Sequence, residues 1–289
     1  MRKIVRNLYD KHKERLQNLF RRNLPNINVA QSSLNSNDEL HTTYARALKN
    51  AHSGDIPVIV PTFNSVTYCK KMVKQLQDRG IGAIILFDNG STFAPMLKYL
   101  ADPPKGVQII ASKENLGPFH TILNPLCWAH LPNYFCLTDP DLEFGSEMPS
   151  SFLRDLAHMT DVYKVGKAGL ALDISDRNSM HQKEFQMANG NYTIWDWEQK
   201  FWDKKIGATA LGDAIYRAPI DTTLAVYNKA FFKPKKYWEA VRLAGRYTCK
   251  HLPWYKNSGL PPEEEAHYRS HATRSYYLTE KAPISDAFL

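Results

Sequence analysis

Several features that would class a sequence quickly are missing. Only four cysteines occur in 289 residues, Cys69, Cys127, Cys136 and Cys249, with no pair at zinc-ligand spacing. That argues against a disulfide framework or a cysteine-based zinc site, and thiols set in apolar runs read as reduced core residues of a reducing compartment. No apolar run approaches the roughly 18 residues of a membrane-spanning helix. The opening MRKIVRNLYDKHKERLQ carries a charge every two or three positions, so no secretory signal is expected. No GxGxxG follows the first apolar strand pattern, and neither GxxxxGKS nor GxxxxGKT occurs, which sets aside the dinucleotide fingerprint and the P-loop. Disorder is excluded as well, because a chain that is 43% hydrophobic and 12% aromatic can bury a real core.

The net charge of +8 is unevenly spread. Residues 1–22 hold eight basic and two acidic residues, a net +6, so only +2 is left for the rest. In that segment Ile4, Val5, Leu8, Tyr9, Leu16, Leu19 and Phe20 recur at helical spacing. A basic amphipathic helix over residues 1–24 is expected, either lying on an anionic membrane surface or packed on its own domain; nucleic acid is not the expected partner. Residues 25–54, rich in Ser and Asn, read as a polar linker.

From Asp55 onward strand and helix patterns alternate. IPVIVPT (56–62), AIILF (83–87), VQIIA (107–111) and the run beginning at Tyr134 read as strands. Helices are expected between them, the first capped by Asn64 or Ser65 and burying Val66, Cys69, Met72, Val73 and Leu76. Four strands separated by helices imply an α/β, doubly wound, mostly parallel sheet with helices on both faces. Ligands in such folds bind beyond the carboxyl ends of the strands. Those ends carry Pro61, Thr62 and Asn64, then Asp88 and Asn89, then Asn115 and Gly117, then Asp139 and Asp141.

The fourth of these strands, YFCLTDPDLEF (134–144), is the most informative. In extended backbone, residues two apart face the same side, so Asp139 and Asp141 can address one object. Paired hard oxygens suit Mg²⁺ or Mn²⁺, above all where the metal also holds substrate phosphates. Alone, the same Asp-Pro-Asp fits a solvated turn equally well.

IPVIVPTFNS, IILFDNGST, ASKENLG and FCLTDPDLEF, in this order and spacing, resemble the nucleotide-sugar domain of GT-A-fold glycosyltransferases, most closely the large inverting, family 2-like group that makes bacterial polysaccharides. WDWEQKFW, IDTTLAVY and KHLPWY are similar to a subset of these enzymes, so the likeness runs over roughly residues 55–256. The resemblance implies a GT-A mixed sheet divided into a nucleotide-sugar half (55–146) and an acceptor and catalytic half (147–260), followed by a helical tail (261–289). It implies that Pro61, Thr62, Asn64, Asp88, Asn89, Asn115, Gly117 and Asp139 bind a nucleoside-diphosphate sugar, with a UDP-type donor favoured. Asp139 and Asp141 would hold Mn²⁺ or Mg²⁺, and His251, as a late histidine, would complete the metal's shell. The chain departs from the commonest pattern in having Asn89 where a second aspartate often stands, and in lacking Ala-Arg-Asn after the third strand's glycine.

The second half must supply a general base for the acceptor hydroxyl. In the enzymes this chain resembles, an acidic residue opening a helix after the acceptor loop does so, and Glu198 matches that position. Asp221, at a bend between strand-like segments within 214–227, stands second, with Asp213 and Asp176 behind it. Trp195, Trp197, Trp254 and Tyr255 are candidates for lining the sugar or acceptor pocket, since aromatic faces stack on sugar rings, although an aromatic stripe at helical spacing is also ordinary core. The polar stretch 176–192 reads as an acceptor or lid loop, and 229–250 as an amphipathic helix. The expected activity is metal-dependent, inverting transfer to a cell-envelope glycan or lipid-linked acceptor, in the cytoplasm or on the inner face of the membrane. A sugar-phosphate nucleotidyltransferase and a non-enzymatic anionic-surface binder are the alternatives.

Overall fold

The computed structural model describes residues 34–50, 55–187 and 190–271. The basic segment 1–22 and the tail beyond 271 lie outside the described residues. Among those described, no helix is long and apolar enough to cross a membrane.

The described residues begin with α1 (Leu34–Asn50), where a linker is expected from composition. Tyr44 and Ala47 of this helix are buried against Ile59, Ile85, Phe87 and Ile110, so a short apolar stripe outweighs the polar residues around it. The first half then follows the expected alternation: β1 (Val58–Thr62), α2 (Val66–Gln77), β2 (Ile84–Asn89), α3 (Ala94–Ala101), β3 (Gln108–Ser112), α4 (His120–Leu123), α5 (Pro125–His130) and β4 (Tyr134–Leu137). β1 and β2 are buried at every position, as strands covered on both faces must be. Two short helices, not one, fill the connection between β3 and β4, because Pro125 cannot continue α4; it opens α5 instead, capped by Asn124 Oδ1.

The second half comprises β5 (Leu142–Phe144), α6 (Phe152–Tyr163), β6 (Lys167–Leu172), the hairpin β7 (Phe185–Met187) and β8 (Gly190–Tyr192), α7 (Ile194–Glu198), β9 (Lys205–Ala208), β10 (Ala214–Arg217), β11 (Ala225–Asn228), β12 (Ala240–His251) and α8 (Pro262–His271). Strand order in the main sheet is β3-β2-β1-β4-β11-β6-β12-β10-β9, with β5 also paired to β12. β1 to β4 run parallel, and β11 enters antiparallel between β4 and β6. The molecule is thus the mixed α/β sheet with covering helices expected of a GT-A-like fold.

Two expectations for this half are corrected. The strand-like segments of 214–227 do not pair with each other: β10 pairs with β9 and β12, while β11 crosses to the sheet centre. Gly169 permits that crossing, since a Cβ there would lie 2.3 Å from the Leu224 carbonyl oxygen. The amphipathic helix expected over 229–250 is absent. A 3-10 turn at Pro234–Lys236 leads into β12, whose first five residues are all buried between β6 and β10, a place only a strand can fill.

Candidate active site

The carboxyl ends of β1 to β4 and the far end of β12 meet at one edge of the sheet. After β4 the chain turns through Asp139-Pro140-Asp141 into β5, which pairs antiparallel with the end of β12 so that Leu142 lies opposite His251. The Leu252 amide donates to the Asp141 carbonyl at 2.9 Å, fixing the two segments together. Ligand atoms of Asp139, Asp141 and His251 consequently lie within 4.8 Å of one another.

The donor set fits a divalent cation. Asp141 Oδ1 is buried without a hydrogen-bond partner, and His251 Nε2 lies 3.4 Å from it. A buried carboxylate oxygen left unpaired is costly unless a cation or proton satisfies it. Burial pushes the Asp139 carboxyl up to about 7; the neighbouring Asp141 and Asp221 charges push the same way, while Thr222 and His251 oppose them. Burial likewise raises Asp141 to about 7, with Asp221 adding to the rise. Burial holds the His251 imidazole below its ordinary value, favouring the neutral form that can ligate a metal. Trp254 lies against this histidine, ring centroids 5.0 Å apart.

Asp221 and Glu198 occupy opposite environments. Asp221 is exposed on the bend before β11, and its charge acts on Asp139, Asp141 and His251. Glu198 is 2% exposed at the end of α7 and is ion-paired with the buried Arg242. Burial drives its carboxyl up to about 7, with the Arg242 guanidinium acting in the other direction. The remaining acids are committed elsewhere: Asp176 caps a 3-10 turn by accepting from Ser179, and Asp213 pairs with Arg246 and Thr209.

The residues expected to hold the nucleotide sugar fall into two hydrogen-bonded groups, around Asn64 and Asp88 and around Asn89 and Asn115. Asn64 is fully buried with φ 52, a left-handed backbone that Asn tolerates better than most residues. It caps α2 in neither side-chain nor backbone sense; its Oδ1 accepts instead from the Thr92 and Phe93 amides, and its own amide donates to Ser91 Oγ. Ser91 in turn donates to buried Asp88 through both amide and hydroxyl. Asn89 Oδ1 accepts from the Leu116 amide, tying β2 to the Asn115-Leu116-Gly117 turn, where Asn115 accepts from Gly117. Thr62 and Pro61 are buried at the end of β1.

α8, whose role is not legible in the sequence, packs onto this edge. Glu264 is buried and accepts from the Thr67 amide at 2.9 Å and the Thr67 hydroxyl at 2.6 Å, so it caps α2 from a segment 197 residues away. His267 lies against Phe93, ring centroids 4.9 Å apart, and its Nε2 sits 3.3 Å from Thr92 Oγ1.

Of the four aromatic candidates, Trp254 adjoins the Asp139–Asp141–His251 group through its contact with His251. Tyr255 is buried and donates to the Asp173 carbonyl at 2.7 Å. Trp195 donates to Ile174 O beneath the Arg177 guanidinium, and Trp197 packs among Phe185, Tyr192 and Phe201. The polar stretch 176–192 is therefore partly built, its hairpin anchored by Phe185 on Trp197 and by Met180 bridged to Tyr255.

No protein-family model and no curated protein matches the chain. Among solved structures, the crystal structure of S. aureus TarS 1-349 is similar, with 14% identity and a TM-score of 0.38, over 69% of this chain and 61% of that one. The fold assignment rests on the sheet order itself.

Proposed function

We propose that this protein is a metal-dependent glycosyltransferase that moves a sugar from a nucleoside-diphosphate sugar, UDP-type favoured, to a hydroxyl of a cell-envelope glycan or lipid-linked acceptor with inversion. The observation that carries the reading is the Asp139–Asp141–His251 group, with a buried carboxylate oxygen that no hydrogen bond satisfies, at the carboxyl ends of the parallel strands β1 to β4. Mn²⁺ or Mg²⁺ held there would neutralise the charge that develops on the leaving diphosphate. A helix N-terminus can hold phosphate too, but that of α2 is filled by Glu264, so the donor's charge would be offset by a cation held at the aspartates.

The chain's own residues supply the rest. Asp88, Asn64 and Ser91 are held rigid by their mutual hydrogen bonds and form the seat for the nucleoside. Asp221 takes the base role in place of Glu198, because it is the exposed carboxylate beside the metal group and Glu198 is sealed against Arg242. It accepts the proton of the acceptor hydroxyl as the oxygen attacks the anomeric carbon.

The test is thermal stability against UDP, GDP, CDP and dTDP, each with and without Mn²⁺, since a ligand of the folded state alone raises the melting temperature by mass action. A Mn²⁺-dependent rise with one nucleotide, abolished in Asp139→Asn, is expected. No rise with any nucleotide would refute the donor site.

A further inference from the structure

The bend that carries Asp221 is held in an unusual way. Three successive backbone carbonyls, of Pro219, Ile220 and Asp221, are each taken by a side chain from a different part of the fold. Arg242 of β12 donates to Pro219 O through Nε at 2.9 Å and Nη2 at 2.6 Å. Lys167, the first residue of β6, donates to Ile220 O at 2.5 Å. Tyr237, just before β12, donates to Asp221 O at 2.8 Å. Farther along the same bend, Thr223 donates to Asp221 Oδ1.

The donors are not ordinary surface groups. Lys167 is fully buried, with Nζ 3.5 Å from the Tyr237 ring centroid and 5.6 Å and 5.8 Å from those of Tyr227 and Trp238. Burying an ammonium costs several kcal/mol, by an order-of-magnitude argument, and a neutral donor would satisfy one carbonyl at less cost. Arg242 is equally enclosed, its remaining nitrogen spent on Glu198. Burial holds the Lys167 amine well below its ordinary value, so Arg242 is the cation kept behind the bend, while Lys167 serves there as a hydrogen-bond donor.

We propose that Lys167, Arg242 and Tyr237 are positioning residues that clamp the Pro219–Asp221 bend and so aim the Asp221 carboxylate at the Asp139–Asp141–His251 group, with Glu198 acting through Arg242 as part of the same clamp. The proposal rests on the reading of Asp221 as base. It gives the buried Glu198–Arg242 pair a function without requiring Glu198 to touch substrate.

The test uses the full chain in three variants, Tyr237→Phe, Lys167→Met and Asp221→Asn. Tyr237→Phe removes a single oxygen and serves if Lys167→Met folds poorly. Backbone hydrogen exchange of the 218–224 segment, read by mass spectrometry, is expected to quicken in the two clamp variants while β1 to β4 keep their protection. Release of UDP from the UDP-sugar that best stabilises the protein, with Mn²⁺ present, is expected to fall about tenfold to a hundredfold, as misplacement of a reacting group by an ångström or so does. Mn²⁺ binding should stay unchanged, and the loss should fall on kcat while KM for the UDP-sugar holds, because the clamp acts on the base and not on the donor seat. Unchanged exchange in the bend overturns the clamp. So does quickened exchange with a wild-type kcat where Asp221→Asn is inactive. If Asp221→Asn itself turns over normally, the base assignment fails and takes the clamp's catalytic role with it.

Discussion

Asp139 and Asp141 share a site in which neither burial nor like charge favours ionisation, and both carboxyls are raised to about 7 in consequence. A cation binding there must displace protons, so metal affinity is tied to pH. Mn²⁺ affinity, read by calorimetry, should therefore weaken steadily from pH 8 to pH 6. In Asp141→Asn it should fall by at least about a hundredfold, more than the loss typical of an outer-shell change. Glu198 calls for a different measurement. Removing one member of a buried ion pair strands the other, at a cost of about 3–5 kcal/mol. Glu198→Ala should accordingly lower the melting temperature sharply by leaving Arg242 unpaired, whereas Asp221→Asn, an exposed change, should leave it within about a degree or two and abolish turnover. A reversed pattern, with Glu198→Gln stable but inactive and Asp221→Asn active, would return the base role to Glu198.

At the scale of elements, β11 and α8 decide whether this edge of the sheet is assembled. Gly169 faces the Leu224 carbonyl and Ile220 Cδ1, at 2.3 and 2.8 Å from where a Cβ would stand, so Gly169→Ala must push β11 off β6 and disturb the bend that β11 follows. A melting temperature lowered by several degrees is expected, against the slight gain that Gly→Ala gives where space allows. Glu264→Ala should cost about 1–2 kcal/mol, the worth of a helix cap, and detach α8 from Thr67. Limited proteolysis would then cut near 256–262 faster than in the parent. These elements also mark how far the sequence could be read. The parallel half was legible because each strand is a short apolar run ending in polar turn residues, and Asp139 and Asp141 stand at such an end. β12 was not: KAFFKPKKYWEAVRLAGRYTCK has helix-compatible spacing, and only the slot between β6 and β10 makes 240–243 a strand. His251 was reached through family resemblance alone, since the register of β5 on β12 brings it to Asp141 from more than a hundred residues away. Nothing local to Glu264 pointed to Thr67, and nothing local to Glu198 pointed to its pairing with Arg242.

For the molecule as a whole, the site has a stability cost that pH should reveal. Asp139, Asp141 and Glu198 all carry folded-state values near 7, above their ordinary values of 3.8, 3.8 and 4.5. For a carboxyl raised in this sense the folded state binds the extra proton. The stabilisation is complete below the unfolded value and is lost as pH rises through the folded one. Histidines lowered by burial, His181, His251 and His267, act the other way, but only below about their ordinary value of 6.5, where the unfolded chain would protonate first. Asp176 and Asp213, depressed by their hydrogen bonds, have delivered their full contribution well below that point. Lys167, whose amine burial holds well below its ordinary value, also acts the other way, so the carboxyl contribution is read against Asp141→Asn: between about pH 6.5 and 8 the metal-free protein should lose melting temperature relative to that variant. Mn²⁺ supplies the charge that the protons had supplied, so its stabilising effect should grow over the same interval and flatten the profile. Melting curves at pH 6.5, 7.25 and 8, with a chelator and then with excess Mn²⁺, decide the matter. A metal-free melting temperature that does not fall toward pH 8 relative to Asp141→Asn, or a Mn²⁺ effect that shrinks there, would mean that these carboxylates are already satisfied within the fold and do not form a cation site.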